Sequence, residues 1–302
     1  MQNTNNKIIP STTDWYYFIE KLLLWFSSLA LSFSVLFFVA YNWDKFANMG
    51  KFALVEILLS ISILLYLYFD INKLLSKIAI TSSCILIGVL LALVGQTYQT
   101  GADTWELFFY WSILILPFVI IARFSPLWLI LIVLVNTSII LYTETFGGIF
   151  SIYFNHMDTV LLSIFLFNTL AWIIWQYFES KLEYLKNNYS INILAFVSLF
   201  IVTLLLLNVI WEGGSFLYII LYLITIAGVY FVYKIKNINL FILSLLSLSL
   251  SVIIINIIIK AISWNNLLVF GFLIIALVVV FVGGIFSKWL KNIQKEQNNE
   301  SK

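Results

Sequence analysis

The chain has 302 residues, of which 63% are hydrophobic and only 10% charged. Soluble domains carry roughly 25% charged residues because polar groups must cover their surfaces, so this composition excludes a soluble globular protein and points to a membrane as the solvent. One cysteine, Cys84, and one histidine, His156, exclude a disulfide framework and a cysteine- or histidine-rich metal centre within one chain, and the net charge of +2 gives no footprint for nucleic acid. No cofactor is therefore expected.

Residues 1–21 form an N-terminal segment. Its stretch "STTDWYYFIEK" places helix-start residues before an apolar run, and reads as a short interfacial helix leading into the first span. The first apolar run, 22–41, is too long for a signal-peptide core of about 7–15 residues and is followed by no small-residue cleavage site, so it reads as a retained span.

A helix crossing a ~30 Å hydrocarbon core needs about 20 apolar residues. Ten segments reach that length: 22–41, 51–69, 77–95, 105–122, 127–145, 159–178, 190–210, 216–233, 239–259 and 267–286. The runs are continuous and lack period-two alternation, which excludes a β-barrel. The expected fold is an all-α integral membrane protein, a polytopic bundle of about ten transmembrane helices. It divides into five-helix halves at 22–145 and 146–286, with a polar tail at 287–302.

Charge sets the expected orientation. With ten spans, the termini and the even-numbered connections share one face. That face carries Lys7, Lys21, Lys73, Lys77, Arg123, Lys181, Lys186, Lys234, Lys236, Lys288, Lys291, Lys295 and Lys302; the other carries Lys45, Lys51 and Lys260. Lysine and arginine accumulate on the cytoplasmic side, so both termini are expected in the cytoplasm and the protein in the cytoplasmic (inner) membrane. The outer face holds Asp44, Glu56, Asp103, Glu106, Glu144, Asp158 and Glu212. Trp43, Trp105, Trp211 and Trp264 fall at outer ends, where an amphipathic ring anchors at the headgroup level.

Within the spans, Glu56 lies about five residues inside the second, roughly 7–8 Å by helix rise, and is a functional candidate expected to face a cavity or snorkel outward. The third span has a small-residue stripe, Thr81, Cys84, Gly88, Ala92 and Gly95, on one helix face. It implies close packing, with Ser27, Ala30 and Ser34 of the first span as the candidate partner. The polar stretch "GQTYQTGADTWELF", 95–108, follows. Gly95 and Gly101 are expected at a helix end and a tight turn, and "DTWE" reads as a capping box between Asp103 and Glu106. Gln96, Tyr98 and Gln99 exceed what a turn requires. With Glu56, Asp103 and Glu106 they form the candidate site for a small polar solute or, alternatively, bond the loop to neighbouring turns. Pro117 is expected to kink the fourth span. Asn136 and Asn168 fall mid-span, where interhelical hydrogen bonds explain them.

"FFVAYNWDKF", "KFALVE" and above all "GQTYQTGADTWELFFYWSILILPF" resemble the bacterial membrane proteins grouped as domain of unknown function 2157, over about residues 15–145. The resemblance implies an integral membrane protein and supplies no substrate or catalytic residue. Ten spans also resemble, by helix count alone, the drug/metabolite transporter architecture of two five-helix halves. No GxxxxGK[ST], GxSxG or HExxH is present. Three functions are carried: binding or transport of a small polar solute near the outer face; a structural or assembly subunit that meets a membrane-protein partner through the polar stretch; and a membrane enzyme using paired outer carboxylates on envelope or lipid-linked substrates. The lipid bilayer is the partner common to all three.

Overall fold

The computed structural model describes residues 12–41, 47–147, 156–186, 188–236, 238–261 and 268–300. These form ten α-helices among the described residues: α1 Thr12–Tyr41, α2 Asn48–Tyr68, α3 Leu74–Tyr98, α4 Thr104–Ala122, α5 Ser125–Phe146, α6 His156–Glu179, α7 Asn188–Glu212, α8 Phe216–Tyr230, α9 Leu240–Ala261 and α10 Leu268–Glu300. Helix is the required answer for such a sequence: hydrocarbon offers no hydrogen-bond partner, so each spanning segment must satisfy its own backbone. Nine helices among the described residues are long and apolar enough to cross a membrane. The all-α polytopic fold is thus present. Trp43, Asp44, Trp264, Lys7, Lys45 and Lys302 lie outside the described residues.

The chain forms two compact units, residues 1–138 and 139–302. In the first, α3 is central, with α1, α2 and α4 packed on it. In the second, α7 is central, packed by α6, α8 and α9, while α10 lies on α9. Half or more of α3 and α7 is buried, against a third or less of the other spans. The large apolar side chains left outside, such as Phe200, Ile224 and Phe281, belong to lipid-facing surface.

The structure adds local detail to several expectations. The N-terminal stretch is no separate interfacial helix: α1 is continuous over 30 residues, about 45 Å at 1.5 Å per residue. The tail is helical too, since α10 runs on to Glu300. Lys51 lies in the first turn of α2 and is buried. Pro117 lies inside α4, Thr104–Ala122, the position from which a kink is expected. Asn136 and Asn168 each donate to a carbonyl four residues back in their own helix, Ile132 and Ile164, which leaves their amide oxygens for other donors.

The stripe on α3 is used, with a different partner. A Cβ at Gly88 would lie 2.3 Å from the indole ring of Trp111 on α4. The same indole donates from Nε1 to the Cys84 carbonyl at 2.8 Å. The stripe is thus a slot for one flat ring. α1 meets α3 on another face, across an apolar crevice of ≈ 410 Å³ whose lining includes Leu24, Ser27 and Leu31 of α1 and Ile78, Ser82 and Leu86 of α3.

Candidate functional site

The polar stretch of unit 1 is partly helix. α3 continues through Gly95 to Tyr98, so Gly95 is a helix-interior residue and ends nothing. The left-handed residue that closes α3 is Gln99, at φ 44° and ψ 52°. Gly101 does take the positive φ expected of it, 66°. The capping box is not formed. Asp103 is the residue that caps α4, in extended conformation, but its side chain makes no capping bond. Its backbone carbonyl instead accepts from the Glu106 amide at 3.0 Å.

The candidate residues of this stretch are scattered outward. Gln96, Tyr98, Gln99 and Asp103 are exposed, and Glu106 is half-buried. Tyr98 rests its ring on Phe52 of α2, with centroids 6.0 Å apart. Glu56 stands one turn beyond Phe52 on the same face of α2, also exposed. Tyr98 is therefore brought to the Glu56 face of α2, while Gln96, Gln99 and Asp103 show no convergence on a common centre.

Unit 2 holds a buried polar constellation that sequence reasoning missed. Asp158, in the first turn of α6, is 6% exposed. Asn208, near the end of α7, donates from its amide to Asp158 Oδ1. Tyr218, fully buried in the first turn of α8, interacts with the same carboxylate. These residues line or adjoin a cleft of ≈ 670 Å³ formed by Met157, Asp158, Leu161, Leu204, Leu207, Asn208, Trp211 and Glu212. At this end, Trp211 Nε1 donates to Asn256 Oδ1 on α9 at 3.1 Å. Lys260 Nζ donates to the Ile210 carbonyl, where a cation complements the α7 C-terminus.

From this end, polar groups continue down the middle of the unit. α8 buries Tyr218, Tyr222 and Val229, and Tyr233 lies buried in the π-helical stretch Phe231–Lys236 that extends it. The four positions fall on one face, at spacings of 4, 7 and 4. The Tyr222 hydroxyl meets Ser249 Oγ of α9 at 3.0 Å, and that hydroxyl meets Thr203 Oγ1 of α7 at 2.6 Å. The Asp158–Asn208 contact fixes the antiparallel register of α6 and α7. Ten residues further along α6 and ten back along α7, about 15 Å deeper, Asn168 is level with Ser198. Both are buried, and the Oγ of Ser198 and the adjacent Thr169 Oγ1 are enclosed without a hydrogen-bond partner. Toward the far end, Trp172 Nε1 donates to the Tyr233 hydroxyl at 2.9 Å, which donates to Gln176 Oε1 at 3.0 Å.

The chemical content is several clusters of donors and acceptors set within the apolar core of a membrane unit, with an ionisable group at one end. Unpartnered buried hydroxyls are rare, and each calls for water, an ion or a ligand. The available sequence signals were the tyrosines of α8 at helical spacing and Asp158 directly before an apolar run. Both were readable as anchors and surface charge, and their convergence needed the fold.

These features define the class: a multi-pass α-helical membrane protein with polar groups gathered inside a lipid-facing shell. Residues 12–128 match the family model described as predicted membrane protein (DUF2157), in agreement with the resemblance read from the sequence. No curated protein and no solved structure matches the chain. The family match covers α1 to α4 and reaches only the start of α5, so the buried polar groups of unit 2 lie outside it.

Proposed function

We propose that this membrane protein binds a small polar solute near one face of the membrane and passes it through unit 2. The observation that supports this most directly is the buried Asp158 held by Asn208 at the cleft, with further buried polar groups, Tyr222, Ser249, Thr203, Asn168 and Ser198, deeper in the unit. Ionisable and polar groups inside a span are costly, and they gather where a substrate or ion path requires them. The lysine and arginine split supports an orientation with the Asp158 end outside and both termini in the cytoplasm, and a location in the cytoplasmic membrane. The cleft is then the outer entrance.

The test is the melting temperature of the detergent-purified protein against sugars, amino acids, inorganic ions, ammonium compounds and lipid headgroups. A solute that binds only the folded state raises the midpoint with its occupancy. The expected result is a shift for at least one class that is lost in Asp158→Asn and kept in Gln99→Ala. Counterflow of that solute into proteoliposomes then tests passage. A shift lost in Gln99→Ala and kept in Asp158→Asn returns the site to Glu56, Gln96, Tyr98, Gln99, Asp103 and Glu106.

A second reading assigns the α3–α4 connection to docking of a membrane-protein partner. It is favoured by the exposure of Gln96, Tyr98, Gln99 and Asp103 together with the left-handed Gln99, a strained conformation held at a surface. Recovery of a stoichiometric partner after mild solubilisation, lost in Gln99→Ala, is its test.

A further inference from the structure

We infer that the cleft beside Asp158 is built for a small organic cation: an ammonium group carrying an apolar substituent. This rests on the solute-binding reading above and names the chemical class of the solute. The first support is charge. Asp158 and Glu212 both line the cleft, and no basic side chain is among its described lining residues. Lys260 is held on the Ile210 carbonyl and does not line it.

The second support is unused bonding capacity. An ionised carboxylate offers about four acceptor sites. Asn208 takes one on Asp158, and Tyr218 interacts with the same group. Acceptor capacity remains on a carboxylate that is 6% exposed. Buried charge is costly unless a counter-charge compensates it; Asn208 and Tyr218 are neutral, and the α6 N-terminus offsets the charge only in part. A cation removes that cost, whereas a neutral solute does not and an anion adds to it.

The third support is the rest of the lining. Leu204, Leu207 and Met157 are apolar, and Trp211 presents an indole tethered at Nε1 by Asn256. An indole face attracts an ammonium, and apolar walls take its substituent. Calcium and magnesium need about six oxygen ligands, and no group of three or more metal-binding side chains occurs among the described residues. The lining therefore suits a weakly hydrated organic cation better than a hard metal ion.

The test uses the full-length protein in detergent, with melting temperature and isothermal titration as readouts. The probes are methylammonium, tetramethylammonium, choline and phenethylammonium. Against them run 3,3-dimethylbutan-1-ol, the uncharged isostere of choline, and acetate. The expected result is a rise in melting temperature with at least one ammonium, none with the isostere or acetate, and loss of the rise in Asp158→Asn. Trp211→Leu, which keeps both carboxylates, weakens the same ammonium by about 2- to 30-fold, the range of a cation–π contact. Size-exclusion chromatography of each variant confirms that it is folded. A sugar, amino acid or anion that shifts the protein through Asp158 while every ammonium fails overturns the cation assignment and leaves solute binding standing. Failure of all probes and of the wider solute panel overturns both.

Discussion

Gly88→Ala is the sharpest test of how unit 1 is held together. A methyl group there would sit 2.3 Å from Cε2 and Cζ2 of Trp111 and 2.5 Å from Cδ2. Real Cβ contacts do not approach so closely, so the indole must move. It cannot move freely, because its Nε1 is bonded to the Cys84 carbonyl at 2.8 Å. Displacing the ring sacrifices that bond, worth about 0.6–2 kcal/mol between membrane helices, and overpacking adds about 1–3 kcal/mol. Alanine recovers about 1 kcal/mol of helix propensity. The net expected loss is about 1–4 kcal/mol, read as a lower midpoint in detergent-titrated or thermal unfolding. The decisive comparison is a double-mutant cycle with Trp111→Ala. In that background the clash is gone, and Gly88→Ala becomes neutral or stabilising by up to about 1 kcal/mol. Equal destabilisation in both backgrounds, or none in either, would refute the ring-in-slot account.

Three further outcomes follow from other parts of the molecule. Gln99→Gly relieves a left-handed residue whose side chain is exposed, and is expected to stabilise unit 1 by up to about 1 kcal/mol in the same unfolding assay. Asn239 accepts from the Phe241 and Ile242 amides at the start of α9, at 3.1 and 3.3 Å, so Asn239→Ala costs about 0.5–2 kcal/mol of thermal stability, whereas Asn239→Asp largely retains it. The proposed orientation is checked in a Cys84→Ser background: an impermeant maleimide added to intact cells labels Asp103→Cys and leaves Lys181→Cys untouched, and the reverse pattern would invert the assignment.

Much of the fold was legible because it depends on quantities that run along the chain. Hydropathy over about 20 residues and the need of a buried backbone to bond itself are local properties, and they suffice to locate helices such as α2, α4 and α9 to within a few residues. The end of α3 was less legible. Gly95 looked like the stop, yet the helix ran on to Tyr98 and Gln99 took the left-handed position against its local preference. The site was legible only in its residue types. The candidates of unit 1 were exposed polar groups conspicuous against an apolar chain, while Asp158, Asn208 and the tyrosines of α8 looked like ordinary members of their own segments.

By itself the amino-acid sequence determined that this is a multi-pass helical membrane protein, along with the approximate position of each described span and the close-packing role of the α3 stripe. Tertiary structure alone decided which faces meet: that Trp111 fills the slot at Gly88, that Asp158 meets Asn208, and that Thr203, Ser249 and Tyr222 join inside unit 2. The reason is physical. In water, burial sorts apolar from polar faces and leaves a periodic trace in the sequence. In lipid, the outside of a helix is as apolar as its packed side, so hydropathy carries no record of which face turns inward. That choice rests on shape and on a few hydrogen bonds between residues about 50 positions apart, and it appears only when the helices are assembled.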